Sequence, residues 1–226
     1  MEKLCYLLFR EAEVPGSELR QALVEKTVPA LRAAGAREIT LHVQDEDVAA
    51  GTPLRRSDPP IRAMVSFWLH DADERGPCEE ALRAQARRIA GYVVLESRPL
   101  VHEAPKGRRT PGTNQVTCIA RKPGLDYDEF IRIWHGDHRA VAIETQSTTG
   151  YVRNEIVRKL TPDAPSWAAI VEETFPIGAL TDPKVFYDAK SDADLRARMD
   201  RMMKSCQRFL AFEPMEYTHM SEYYLG

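Results

Sequence analysis

Apolar positions along the chain follow two periods, and the order of those periods repeats. Lys3 to Arg10 is a short apolar run of strand character that ends at the turn Val14-Pro15-Gly16. After Ser17, a capping residue, Leu19, Leu23, Thr27 and Leu31 fall along one helical face, with Gly35 as the stop. Pro29 predicts a kink or break near Val28, because proline lacks an amide hydrogen and crowds the preceding turn. Ile39, Leu41 and Val43 alternate within the next strand, and Ile61 to His70 is rich in β-branched and aromatic residues. The polar stretch between them, Asp45 to Pro60, is a surface excursion or a lid over an edge or site. Cys78 to Ala90 reads as a helix between Pro77 and Gly91, and Tyr92 to Glu103 as a strand bent at Pro99. The order β-α-β-β-α-β is the ferredoxin-like pattern.

A Pro- and Gly-containing linker follows, and the order then begins again. Strands are predicted at 114–121, 149–159, 167–175 and 214–224, with a helix from Asp126 and further helices between Thr181 and Phe209. Cys5 and Cys118 occupy matching first strands, and Cys78 and Cys206 matching second helices, as duplication would leave them. The expected organisation is a first half at 1–104 without an evident site, a linker at 105–113, and a second half at 114–226 with the candidate site. A four-stranded sheet with helices on one face leaves its other face bare, and a second such sheet covers it. The fold class expected is therefore α+β: two ferredoxin-like repeats forming one antiparallel eight-stranded α+β barrel with helices outside.

Charge narrows the partners. The 31 basic and 34 acidic residues give a net charge of -3, which offers nucleic acid no electrostatic footprint. No apolar run approaches the roughly 18 residues of a membrane span, and the first residues lack a signal-peptide pattern, so a cytoplasmic protein without a membrane partner is expected. The cysteines form no Cys-x-x-Cys pair of the zinc or redox type. Because two halves complete a barrel, the chain is expected as a monomer or a homodimer.

Candidate chemistry concentrates between Asp126 and Asn154. Asp126 and Glu129 have capping-box spacing, and Tyr127, Phe130, Trp134, His138, Val141 and Thr145 then share one helical stripe. His138 thus faces the sheet, with Trp134 one turn earlier to desolvate it, while His135 and Asp137 flank the stripe. A desolvated imidazole stays neutral and can act as a general base; otherwise it is a buried histidine bonded to its neighbours. Asn154, Tyr217 and His219 fall on later strands, as do Glu172 and Glu173, which point to opposite sides of theirs. One of these carboxylates is expected to be buried, either as an acid of raised pKa or in an ion pair with Arg153 or Arg158. His135 and His138 lie too far apart around the helix to converge on an ion without a partner motif, so no metal is expected there.

These residues resemble the EthD-like members of the dimeric α+β barrel superfamily. The resemblance rests on Arg121-Lys122-Pro123-Gly124-Leu125, the Phe130, Trp134 and His138 spacing, Gly150-Tyr151 with Asn154, and Asp182-Pro183 with Phe186-Tyr187. Arg139-Ala140 stands where that family commonly has Gly-Pro after the histidine. The resemblance implies a cavity between the sheet and helices of the second half, with Trp134, His138, Tyr151 and Asn154 carried over. It implies chemistry on small hydrophobic molecules, aromatic, cyclic or polyketide-like, of the decarboxylase, cyclase or lactone-isomerase kind. The expected function is a cofactor-free enzyme of lyase or isomerase type working by proton transfer. His138, His135, Asp137, Glu172 and Glu173 are its catalytic candidates, and Trp134, Tyr151, Asn154, His219 and Tyr217 its substrate contacts. The alternative is a non-catalytic protein binding an apolar metabolite or haem.

Overall fold

Alternation along the strands sorts the apolar side chains to two sides of one sheet. The computed structural model describes all 226 residues. Its strands are β1 (Glu2–Phe9), β2 (Arg37–Val43), β3 (Ile61–Leu69), β4 (Arg88–Leu100), β5 (Thr113–Arg121), β6 (Gly150–Lys159), β7 (Ala169–Phe175) and β8 (Leu210–Tyr224). They close into an antiparallel barrel in the order β1-β3-β2-β8-β5-β7-β6-β4. Each half arranges its own strands fourth, first, third, second. The pairs β2–β8 and β4–β6 join the halves, so no strand keeps an open edge. The architecture is an α+β barrel with its helices outside.

Cys5, Leu7, Phe9, Met64, Tyr92, Val116, Ile170 and Met220 fill the barrel. Their sequence neighbours point outward beneath the helices. In the first half the outward side is a cluster of 21 buried residues, including Leu4, Leu19, Leu31 and Phe67. The matching cluster in the second half has only 9, among them Phe130, Trp134, Tyr151 and Phe209, and a cavity takes the remaining space.

The helices are α1 (Gly16–Ala22), α2 (Val28–Ala33), α3 (Gly76–Arg83), α4 (Tyr127–Ile131), α5 (Arg139–Thr145), α6 (Pro183–Phe186) and α7 (Asp192–Cys206). Pro29 does not break its helix. A π-helical segment, Leu23–Thr27, runs directly into α2, and the Val28 amide reaches back to the Leu23 carbonyl. The wider turn accommodates Pro29 in the first turn of α2, where its missing N–H is tolerated. The helix predicted to reach Ala90 ends at Arg83, and β4 has begun by Arg88. Ile89, Ala90 and Tyr92 are drawn into the sheet by burial on both of its faces, which overrides local propensity. The stretch 45–60 is not a free excursion. Val48 is buried, Leu54 bridges to Tyr217, and the Ser57 amide and hydroxyl both donate to Glu216.

Candidate active site

Four strands of the second half present one polar row to the helices. Tyr151 pairs with Glu173, Glu173 with Gln115, and Gln115 with His219 in the registers of β6, β7, β5 and β8. Directly opposed residues on one face stand close together, so this row forms a continuous polar strip on the floor of the cavity. The cavity has a volume of about 740 Å³, and 18 of its 27 lining residues are hydrophobic, which suits a largely apolar ligand held by a few polar groups.

His138 reaches this cavity from a second π-helical segment, Arg132–His138, between α4 and α5. The residue is 9% exposed, and its ring lies 4.7 Å from that of Phe209. Nδ1 lies 2.9 Å from the Ser205 hydroxyl of α7. In the tautomer carrying its proton on Nδ1, the ring donates to Ser205 and Nε2 keeps a lone pair for the cavity. Desolvation by burial, and secondarily the positive charge of Arg208, pull the His138 pKa down to about 4. The imidazole is therefore neutral near pH 7, as a proton acceptor must be.

Glu173 also lines the cavity, and burial pushes its pKa up to about 7. Tyr151 is buried and accepts a hydrogen bond of 3.1 Å from the Trp134 indole. Its phenol is pushed well above the usual range, mainly by desolvation, and stays protonated. His219, 6% exposed, has no partner for Nδ1, and burial lowers its pKa to about 4. Its ring meets Tyr217 edge-on at 6.2 Å.

Six of the residues singled out in the sequence therefore share one cavity: Trp134, His138, Tyr151, Glu173, Tyr217 and His219. Four do not. Asn154 and Glu172 point into the barrel, where the Asn154 amide donates to Glu172 Oε1 at 2.6 Å. Strand alternation sends Asn154 to the opposite side from Tyr151, three residues earlier. Asp137 is exposed and paired with Arg208 at 2.7 Å and Arg132 at 3.6 Å, so it is no neighbour of His138 in the cavity. His135 lies outside the lining; its ring packs on the Trp134 indole at 4.7 Å, and burial lowers its pKa to about 4. The expected packing of Trp134 on His138 thus gives way to Trp134 on His135. In a π-helical turn residues four apart no longer stand directly above one another. The expected ion pairs of the strand carboxylates with Arg153 or Arg158 are also absent: Glu172 pairs instead with Lys3 at 3.8 Å, and Arg158 with Asp73.

Sequence reasoning missed Gln115, Ser205 and the methionines. Met199, Met202 and Met203 of α7 line the cavity. Their spacing of three and four residues is the signal that could have found them, and methionine adapts its shape to a ligand. The first half contributes as well, since Ala50 and Thr52 of the 45–60 stretch line the mouth. A Cβ added at Gly51 would stand 2.8 Å from His219 Cδ2, so glycine at this position lets the loop close over that imidazole.

An eight-stranded α+β barrel with a ligand-sized cavity beneath the helices of one half defines the class. Residues 122–213, within the second half of the chain, match the EthD domain family. Solved structures with the same barrel include one described as an anthrone oxidase-like protein, 12% identical with a TM-score of 0.57, covering 100% of this chain and 93% of that one. Another is a variant of chlorite dismutase from Candidatus Nitrospira defluvii, 11% identical with a TM-score of 0.51, covering 97% of this chain and 91% of that one. At these identities the likeness is one of fold. No curated protein matches the sequence significantly. No helix is long and apolar enough to cross a membrane.

The likeness of fold to chlorite dismutase corrects the expectation that no cofactor is involved. Chlorite dismutases are haem proteins, so the shared fold gives no support to cofactor independence. In this chain His138 and His219 supply imidazoles of the kind that ligate haem iron. No Arg or Lys lines the cavity, however, and Glu173 adds a carboxyl group where haem would bring two more. The lining does not fit the charged edge of a haem.

Proposed function

We propose that the chain acts on a small hydrophobic, aromatic or polyketide-like ketone by moving a proton, in the manner of an isomerase or lyase. The observation that carries this reading is one apolar cavity holding a neutral imidazole and a carboxyl group of raised pKa. In this scheme His138 Nε2 removes a proton from a carbon activated by the carbonyl group. Glu173 delivers a proton to the carbonyl oxygen, so that a keto form becomes an enol with no change of oxidation state. Tyr151 and Gln115, on either side of Glu173 in the polar strip, orient that oxygen, and the methionines of α7 hold the ring system. Ser205, accepting from Nδ1–H, holds the His138 ring in place with Nε2 free as the base.

The anthrone oxidase-like neighbour favours a second reading on the same residues. An enolate formed by His138 is the species that dioxygen attacks, and a CH₂ group plus O₂ would yield a ketone and water. Turnover assays on anthrone-like and other polyketide-type ketones, under air and under argon, separate the two readings. Enolisation, followed by deuterium exchange from the solvent, proceeds without oxygen. Replacing His138 by Ala is expected to lower turnover by about 10²–10⁴-fold. Full activity in that variant would falsify both readings, and stoichiometric ligand binding without turnover leaves a carrier protein.

A further inference from the structure

The barrel interior changes character along its axis. Most of it is apolar, but at one end His42 of β2, Glu172 of β7 and Glu222 of β8 meet, and His42 pairs with Glu222 in register. All three are buried, and His42 is 0% exposed. His42 Nε2 lies 3.3 Å from Glu172 Oε2 and 3.7 Å from Glu222 Oε1, yet neither ring nitrogen makes a hydrogen bond. The other oxygen of each carboxylate is already anchored. Glu172 Oε1 accepts from the Asn154 amide at 2.6 Å, and Glu222 Oε2 lies 2.8 Å from His102 Nε2. Each carboxyl group is thereby held with its second oxygen turned to the unpartnered imidazole.

We propose that His42, Glu172 and Glu222 bind one divalent first-row transition-metal ion inside the barrel. One donor atom from each lies within 4.8 Å of the other two. Donors at about 2.1 Å from a shared ion stand about 3.0–3.5 Å apart, so the site closes with shifts below an ångström. One imidazole with two carboxylates suits Mn²⁺, Fe²⁺ or Zn²⁺ better than Ca²⁺ or Mg²⁺, which favour all-oxygen shells. Lys3 is the nearby competing cation, 3.8 Å from Glu172 Oε1. It is engaged by Glu96 at 2.5 Å and Asn154 at 2.8 Å, on the anchored side of Glu172. Glu222 forms no ion pair with Lys or Arg; its partners are His42 and His102. Asn154 and His102 stand where supporting residues of a metal site stand, each fixing one carboxylate. Glu172 and Glu222 also line a second cavity of about 340 Å³, which offers an entry path and leaves coordination positions open. The ligands come from both halves, β2 from the first and β7 and β8 from the second, so the ion ties the halves together.

Titrating chelator-stripped protein with Mn²⁺ and Zn²⁺ by calorimetry tests the site. One equivalent per chain is expected, with a rise in melting temperature because the ion binds only the folded barrel. His42→Ala and Glu222→Gln should each weaken binding by about tenfold or more, and Asn154→Ala, which releases Glu172, by about 10–100-fold. His138→Ala, in the other cavity, should leave the affinity unchanged. If the barrel variants fail to fold, X-ray absorption of the Zn²⁺ adduct of the natural chain decides, and a mixed nitrogen and oxygen shell with imidazole scattering is expected. Absence of stoichiometric uptake by the folded natural chain, unaltered uptake by folded His42→Ala, or a thiolate shell overturns the proposal.

Discussion

His138 and Glu173 meet the same cavity, and burial moves their pKa values in opposite senses, to about 4 and about 7. Between those values the imidazole is neutral and the carboxyl group protonated, the forms that a base and an acid require. Turnover is therefore expected to follow a bell-shaped pH profile with limbs near 4 and 7, and Glu173→Gln should remove the alkaline limb. The same histidines govern acid stability. The pKa values of His138 and His219 fall from 6.5 unfolded to about 4 folded, so between these values the unfolded chain binds more protons. Their contribution is complete above about pH 6.5 and is lost as pH falls through about 4, by about 3 kcal/mol each. Urea unfolding at stepped pH checks this, and His138→Phe should flatten the acid side of the curve. At this scale the sequence named six residues that the fold brings to one cavity. Trp134, His138 and Tyr151 could be read from spacing and resemblance. The choice between Glu172 and Glu173 could not, because strand alternation says only that they diverge, and the position of the barrel decides which side faces a cavity.

At the scale of elements, the π-helical segment Arg132–His138 and helix α7 set the geometry of the proposed base, His138. In the proposed scheme Ser205 touches only His138, so Ser205→Ala should lower kcat with little change in KM, and Ser205→Thr should restore part of it. The lost buried hydrogen bond should also cost about 1–3 kcal/mol of stability, measurable by denaturant titration. The loop over the mouth gives a different signature. Gly51→Val places side-chain atoms against His219 and Leu180, so it should raise KM for bulky ligands while sparing small ones. Strands and helix starts were legible from period and capping, as the Asp126 carboxylate shows by accepting from the Asp128 and Glu129 amides. The π segments were not, because their wider turns leave no mark in a 3.6-residue pattern. The early end of α3 was also hidden, since the pull of the sheet on Ile89 to Tyr92 is a tertiary effect.

At the scale of the whole molecule, closure of the barrel depends on two seams, β2–β8 and β4–β6. A chain of residues 114–226 alone would leave β6 and β8 with unpaired edges and the interior face of its sheet bare. It is expected to pair with a second copy through those strands, and sedimentation analysis should show a dimer where a monomer would refute the seam argument.

Chain order and periodicity alone determined the repeated β-α-β-β-α-β pattern and the closed α+β barrel, and pointed to Trp134 and His138 of the second half as candidates. These depend on local spacing and on the need to cover a bare sheet face, both of which are written along the chain. Only the tertiary structure decided that Glu173 and Gln115 join His138, that Asn154 and Glu172 turn into the barrel, and that His42 meets Glu172 and Glu222. Those meetings depend on strand register and on contacts between residues more than a hundred positions apart, such as His42 and Glu172, which no window of the sequence contains.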